Sequence, residues 1–275
     1  MANKIISFHS SKGGTGKSSL SSAYAYYLAS SKGKHVLIID ADIGAPSLRH
    51  IVPGKDQKQS QDYTRPTWVD FLSESELAID SITMESDLHP NLDVVHSPSP
   101  EVGVEFLVEK TKNWYGKAMR RLLKAKKEFN AYDYVVVDNE NGMSYNSTNV
   151  LTFSDINIMV VRPVYYGILE SINVVEKSYM SLQELGFREK GRDYLVWDQV
   201  PSRIIDGQEE WLEKVKGIIK HYNSVFEGLG MPVICEIPTM ELINQVMVLE
   251  EPKVAMVSGL LEPYLEKMYA RIAEV

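Results

Sequence analysis

The sequence predicts an α/β fold, a single doubly wound and mostly parallel sheet flanked by helices, on two observations. Short apolar runs rich in β-branched residues recur at Ile5–Phe8, Val36–Ile39, Leu92–Val95, Tyr134–Val137, Ile156–Val161, Tyr194–Trp197 and Val233–Ile237. Several are apolar at every position, as expected of strands covered on both faces. Between them, residues 104–129, 167–185 and 208–226 carry helical spacing. Strands separated by helices imply right-handed crossovers and parallel neighbours, and ligands then gather beyond the C-terminal strand ends.

Each element follows in order. The first strand, Ile5–Phe8, runs through a glycine-rich loop into a helix marked by Leu20, Ala23, Tyr24, Tyr27 and Leu28. Residues 53–67 are polar, contain Gly54 and Pro66, and read as a loop excursion. Segment 110–127 holds eight cations, with Met119, Leu122, Leu123 and nearby Phe129 on its apolar side, the pattern of a basic amphipathic helix. At the end, Leu261, Tyr264, Leu265, Met268 and Ile272 predict a helix over 259–275 that docks on the sheet. No composition break divides the chain, so residues 1–275 read as one domain.

Bulk properties exclude more than they identify. A formal charge of −8 argues against a surface that binds nucleic acid everywhere, although the 110–127 segment could do so locally. Cys235 is the only cysteine, so no intrachain disulfide or cysteine-held cluster can form. No apolar run reaches the length needed to span a bilayer and Met1–Asn3 leads straight into the first strand, so a soluble, cytoplasmic protein is expected. The final helix carries Glu262, Glu266 and Glu274 beside Lys267 and Arg271, unlike a cation-rich membrane-surface helix.

Chemistry concentrates at three strand ends. Residues 11–19 read Ser-Lys-Gly-Gly-Thr-Gly-Lys-Ser-Ser between a strand and a helix. This is a P-loop, whose backbone N–H groups, late lysine and hydroxyl hold phosphates and Mg²⁺. Lys17 and Ser18 fill the closing positions, Ser11 takes the place of the usual first glycine, and Lys12 adds a second lysine. The helix N-terminus contributes its partial positive charge. The second strand ends in Asp40-Ala41-Asp42, and Tyr134-Val135-Val136-Val137 ends in Asp138, the form of a Walker B segment. Carboxylates at these places suit a water-coordinated magnesium ion and an oriented attacking water.

Taken together, Lys12–Ser19, Asp40-Ala41-Asp42-Ile43-Gly44-Ala45-Pro46-Ser47-Leu48 and Tyr132–Asp138 resemble the deviant Walker A ATPases of the MinD/ParA class. The similarity continues through Trp68–Leu72, Asn91–Val95 and Glu236-Ile237-Pro238. It implies a P-loop NTPase fold and an ATP-dependent homodimer with two nucleotides sandwiched between subunits. By the same resemblance Lys12 would reach the partner's phosphates and Lys17 would serve its own nucleotide. Gly13, Gly14, Thr15, Gly16, Ser18 and Ser19 would line the phosphates, with Ser18, Asp40, Asp42 and Asp138 around Mg²⁺ and Asp42 orienting the water. Asp198 and Pro238 would contact the base.

The class normally places a Pro- or Gly-rich switch after the third aspartate and an adenine-reading asparagine after the strand matching Tyr194–Trp197. Here the corresponding residues are Asn139-Glu140-Asn141-Gly142 and Asp198-Gln199. Asp198 can accept from an adenine amino group but has no N–H to offer the ring. Glu140 could alter hydrolysis or meet a partner. The expected function is a slow Mg-dependent ATPase switch that positions or partitions a cellular structure, engaging a protein activator or cargo. DNA segregation through the 110–127 helix and a weakly hydrolysing nucleotide-bound scaffold are the alternatives.

Overall fold

The computed structural model describes residues 4–55, 65–202, 209–247 and 253–275. Its strands are β1 (Lys4–Ser10), β2 (Val36–Asp40), β3 (Met84–Glu85), β4 (Leu92–Val95), β5 (Tyr134–Asn141), β6 (Ile156–Val161), β7 (Asp193–Val200) and β8 (Val233–Pro238). They form one eight-stranded sheet in the order β3-β4-β2-β5-β1-β6-β7-β8. Neighbours run parallel except β3, which pairs antiparallel to β4 at one edge. All seven expected strands are present, and the sequence reading lacked only β3, too short to show a period.

The helices are α1 (Lys17–Ser30), α2 (Leu48–Ile51), α3 (Trp68–Ser73), α4 (Pro100–Glu109), α5 (Lys112–Ala125), α6 (Tyr145–Phe153), α7 (Tyr165–Val174), α8 (Ser181–Glu184), α9 (Glu209–Gly228), α10 (Glu241–Met247) and α11 (Val254–Ala273). A π-helical segment, Val175–Met180, joins α7 to α8. Strand alternation explains the continuous apolar runs. Ile6, Phe8, Val36, Ile38 and Val136 face α1 and α11, whereas Ile5, Leu37, Ile39, Val135 and Val137 face α3, α5 and α6. In α11, Leu261, Leu265, Met268 and Ile272 are buried, and Glu266 pairs with Lys32 at 2.8 Å.

Two expectations change. The stretch 104–129 is not one helix: Lys110 is extended (φ −82°, ψ 137°), and Ser99 with Pro100 starts α4 while Thr111 precedes α5. Short side chains that compete for backbone N–H groups favour such helix starts. The basic helix therefore covers Lys112–Ala125 rather than 110–127. Its Arg121 is also turned inward, bonding Glu128 at 2.8 Å and the Leu77 carbonyl at 2.7 Å and lying over the Phe71 ring. It is not available to bind DNA, whereas Lys117, Arg120 and Lys124 are exposed.

Of the expected 53–67 loop, residues 56–64 lie outside the described residues, as does residue 208 of the 208–226 stretch. Among the described residues no helix is long and apolar enough to cross a membrane.

Candidate functional site

The C-terminal end of β1 passes into the loop 11–16, and α1 begins at Lys17. Gly14 (φ 77°) and Gly16 (φ 83°) adopt left-handed conformations that side chains disfavour. Gly16 also lies hard against β7: a Cβ there would sit 2.0 Å from Asp198 Oδ2. No side chain caps the start of α1, a helix end of the kind that binds anions. Lys12, Gly13 and Gly14 are exposed, Thr15 and Lys17 are buried, and Gly16, Ser18 and Ser19 are half-buried.

Because β2 and β5 are neighbours, Asp40 and Asp138 stand side by side in register. The Lys17 ammonium bonds Asp138 Oδ1 at 2.8 Å, and the Ser21 hydroxyl donates to the same oxygen at 3.2 Å. Asp138 Oδ2 and the Thr15 hydroxyl are buried without a partner. A hydroxyl that can donate to phosphate and a carboxylate oxygen that can accept from metal-bound water both fit a magnesium nucleotide. Among the described residues no three His, Cys, Asp or Glu side chains converge to hold a metal directly.

Asp40 uses both oxygens locally. Oδ1 accepts from the Asp42 N–H at 3.2 Å, and Oδ2 from Ser47 and Leu48 at 3.1 and 2.9 Å, shaping the loop that carries Asp42. Asp42 in turn accepts from the Ala45 N–H at 3.0 Å. Burial, followed by the charge of Asp138, raises the Asp40 pKa to about 8, and burial raises that of Asp42 to about 6. Between its ordinary and raised values each carboxyl keeps a proton when folded that it loses when unfolded, so stability falls as pH rises. The unliganded protein should therefore lose stability from pH 6.5 to 8, at up to about 1.4 kcal/mol per pH unit through Asp40. Chemical denaturation across this range should show a flatter profile for Asp40→Asn; an identical slope would remove Asp40 as the cause.

After Asp138 the chain stays extended, and β5 continues through Asn139, Glu140 and Asn141 to Gly142 (φ 73°). Asn139 reaches the Ser147 carbonyl at 3.2 Å, while Glu140, only 7% exposed, accepts from the Ser144 hydroxyl. Its burial removes the partner-contact option left open by the sequence. Asn141 accepts from Ser10 at 2.6 Å, and His9 bridges the Gly142 carbonyl (2.8 Å) and the Tyr179 hydroxyl (2.9 Å). Burial lowers the His9 pKa to about 4. Ser11 bonds Ser171 of α7 at 2.9 Å, which gives a use for a hydroxyl at the usual glycine position. His9, Ser171 and Tyr179 escaped sequence reasoning because their only link to the loop is spatial.

Asp198 and Pro238 line one cleft of about 90 Å³ with Gly16, Ser19 and Leu20. Asp198 accepts from the Gln199 N–H at 2.9 Å, with its pKa raised by burial to about 6. On the other side of the loop, a recess of about 240 Å³ is lined by Ser11–Thr15, Arg162, Val164 and Tyr166. A larger cavity of about 560 Å³ lies at the opposite end of the sheet, around Lys4, Lys126 and Arg192, away from these residues.

A family model described as an AAA domain matches residues 3–184. An uncharacterized ATP-binding protein of Methanocaldococcus jannaschii is 30% identical over 236 residues, covering 82% of this chain and 77% of its own length. Among solved structures, an ATP complex of Cyanothece McdA aligns with a TM-score of 0.73 at 14% identity, covering 99% of this chain and 97% of that one. The septum site-determining protein MinD of Pyrococcus horikoshii, complexed with Mg-ADP, aligns with a TM-score of 0.62 at 17% identity, covering 96% and 94%.

Proposed function

The chain belongs to the AAA-domain family and shares the P-loop fold of MinD and McdA, and on that premise we propose that it is a Mg-dependent ATPase acting as an ATP-dependent homodimeric switch. Its task is the positioning or partitioning of a cellular structure, with a protein activator or cargo as partner. The observation that carries this reading is the convergence of the loop 11–19, Asp42 and the Lys17–Asp138 pair at one end of the sheet.

The α1 N-terminus and loop N–H groups hold the phosphates, and Lys17 exchanges Asp138 for a phosphate oxygen. Bound Mg²⁺ would neutralise charge on the outer phosphates, held by the Ser18 hydroxyl and, through water, by Asp138. Asp42 orients the attacking water. The water oxygen bonds the γ-phosphorus while the bond to the bridging oxygen breaks; its electron pair leaves with ADP and the water's proton ends on phosphate. Exposed Lys12, beside the recess on the far side of the loop, supplies positive charge to the partner's nucleotide.

Two variants test the two halves of this reading. Asp42→Ala should still bind ATP but release phosphate roughly a hundredfold more slowly. Lys12→Ala should lose ATP-dependent dimerisation in sedimentation experiments; dimers with unchanged turnover would refute the cross-subunit role. A wild-type protein that binds ATP without multiple-turnover phosphate release would instead be the nucleotide-bound scaffold.

A further inference from the structure

Glu140 stands where the loops on either side of the reaction centre meet. Its Oε2 accepts from Ser144 in the turn between β5 and α6. Its Oε1 is buried without a hydrogen-bond partner, and burial raises its pKa despite the nearby Asn146 amide and Ile43 N–H. Ile43 directly follows Asp42. On the other side of Asp42, the Asn146 amide donates to the Ala41 carbonyl at 2.9 Å. The backbone carrying Asp42 is therefore approached on both sides by groups from the segment 140–146.

We propose that Glu140 is a positioning residue for hydrolysis, holding the Asp42 loop against the start of α6 so that Asp42 faces the attacking water. This rests on the hydrolytic reading above. A negative charge beside a nucleotide's γ-phosphate would be repelled from it, so direct phosphate binding is the wrong use for this side chain. An acceptor that bonds the Ser144 hydroxyl and lies beside the Ile43 N–H and the Asn146 amide suits alignment instead. It performs a task that a Pro- or Gly-rich turn cannot, because such a turn has no side-chain acceptor to offer across the gap.

The test uses Glu140→Ala and Glu140→Gln with two readouts, ATP turnover and hydrogen exchange of residues 41–47 without nucleotide. Glu140→Ala should speed exchange in that segment and lower kcat by about tenfold or more, with ATP affinity unchanged. Glu140→Gln keeps an acceptor and should restore both. In an Asp42→Ala background the Glu140→Ala change should cost no further activity. Unchanged exchange in Glu140→Ala, a Gln variant as impaired as Ala, or additive losses with Asp42→Ala would each overturn the proposal. Faster exchange with no turnover even in the wild type would support the positioning and refute the hydrolytic reading alone.

Discussion

Lys17→Ala should remove ATP hydrolysis almost entirely and destabilise the unliganded fold, and both effects have one origin. The Lys17 ammonium and the Asp138 carboxylate are 4% and 0% exposed and lie 2.8 Å apart. Removing the cation leaves a carboxylate buried beside Asp40, with Oδ2 already lacking a partner. Breaking a buried pair from one side typically costs about 3–5 kcal/mol, because the remaining charge is neither solvated nor paired. Lys17→Ala/Asp138→Asn should recover much of that loss in urea denaturation. It should not recover turnover, since the cation proposed to serve the phosphates is still missing; loss of such a group costs roughly a hundredfold or more. A single Lys17→Ala variant as stable as the wild type would refute a structural role for the Lys17–Asp138 pair.

Gly103→Ala should cripple turnover while leaving ATP binding intact. Gly103 is buried on α4, and a Cβ there would lie 2.0 Å from the Ile43 carbonyl oxygen and 3.1 Å from its carbon. That contact is with backbone, so no side-chain rotation relieves it. Either α4 retreats or residues 42–45 move. Overpacking of this kind costs about 1–3 kcal/mol. Displacing Asp42 by an ångström should cost roughly a hundredfold in kcat. The P-loop itself lies elsewhere, so ATP affinity measured by calorimetry should hold. A drop in melting temperature with unchanged turnover would mean that α4 is the part that yields.

How much of this was legible differs from residue to residue. Gly13–Ser19, Asp40, Asp42 and Asp138 could be read because their residue types are tied to strand–loop–helix boundaries that local apolar patterns reveal. Arg121 was misread: helical spacing assigns it to a basic face, but Glu128 and the Leu77 carbonyl draw it inward from outside that helix. Asn157 lies within an apolar strand reading and proves to be a buried link to Asp193, itself paired with Arg188 at 2.8 Å. Nothing local to 156–161 announces partners at 188 and 193.

The sequence alone determined the parallel α/β sheet, the phosphate loop and Asp40 at the end of β2, since periodicity and loop chemistry are properties of contiguous residues, whereas β5 runs on past Asp138 to Asn141. Tertiary structure decided what those groups touch: Lys17 on Asp138, Asp198 against Gly16, Ser11 on Ser171, and Glu140 buried rather than presented to a partner. Each of these contacts joins residues brought together only by crossover connections. Their energies depend on burial and distance, which no stretch of sequence carries by itself.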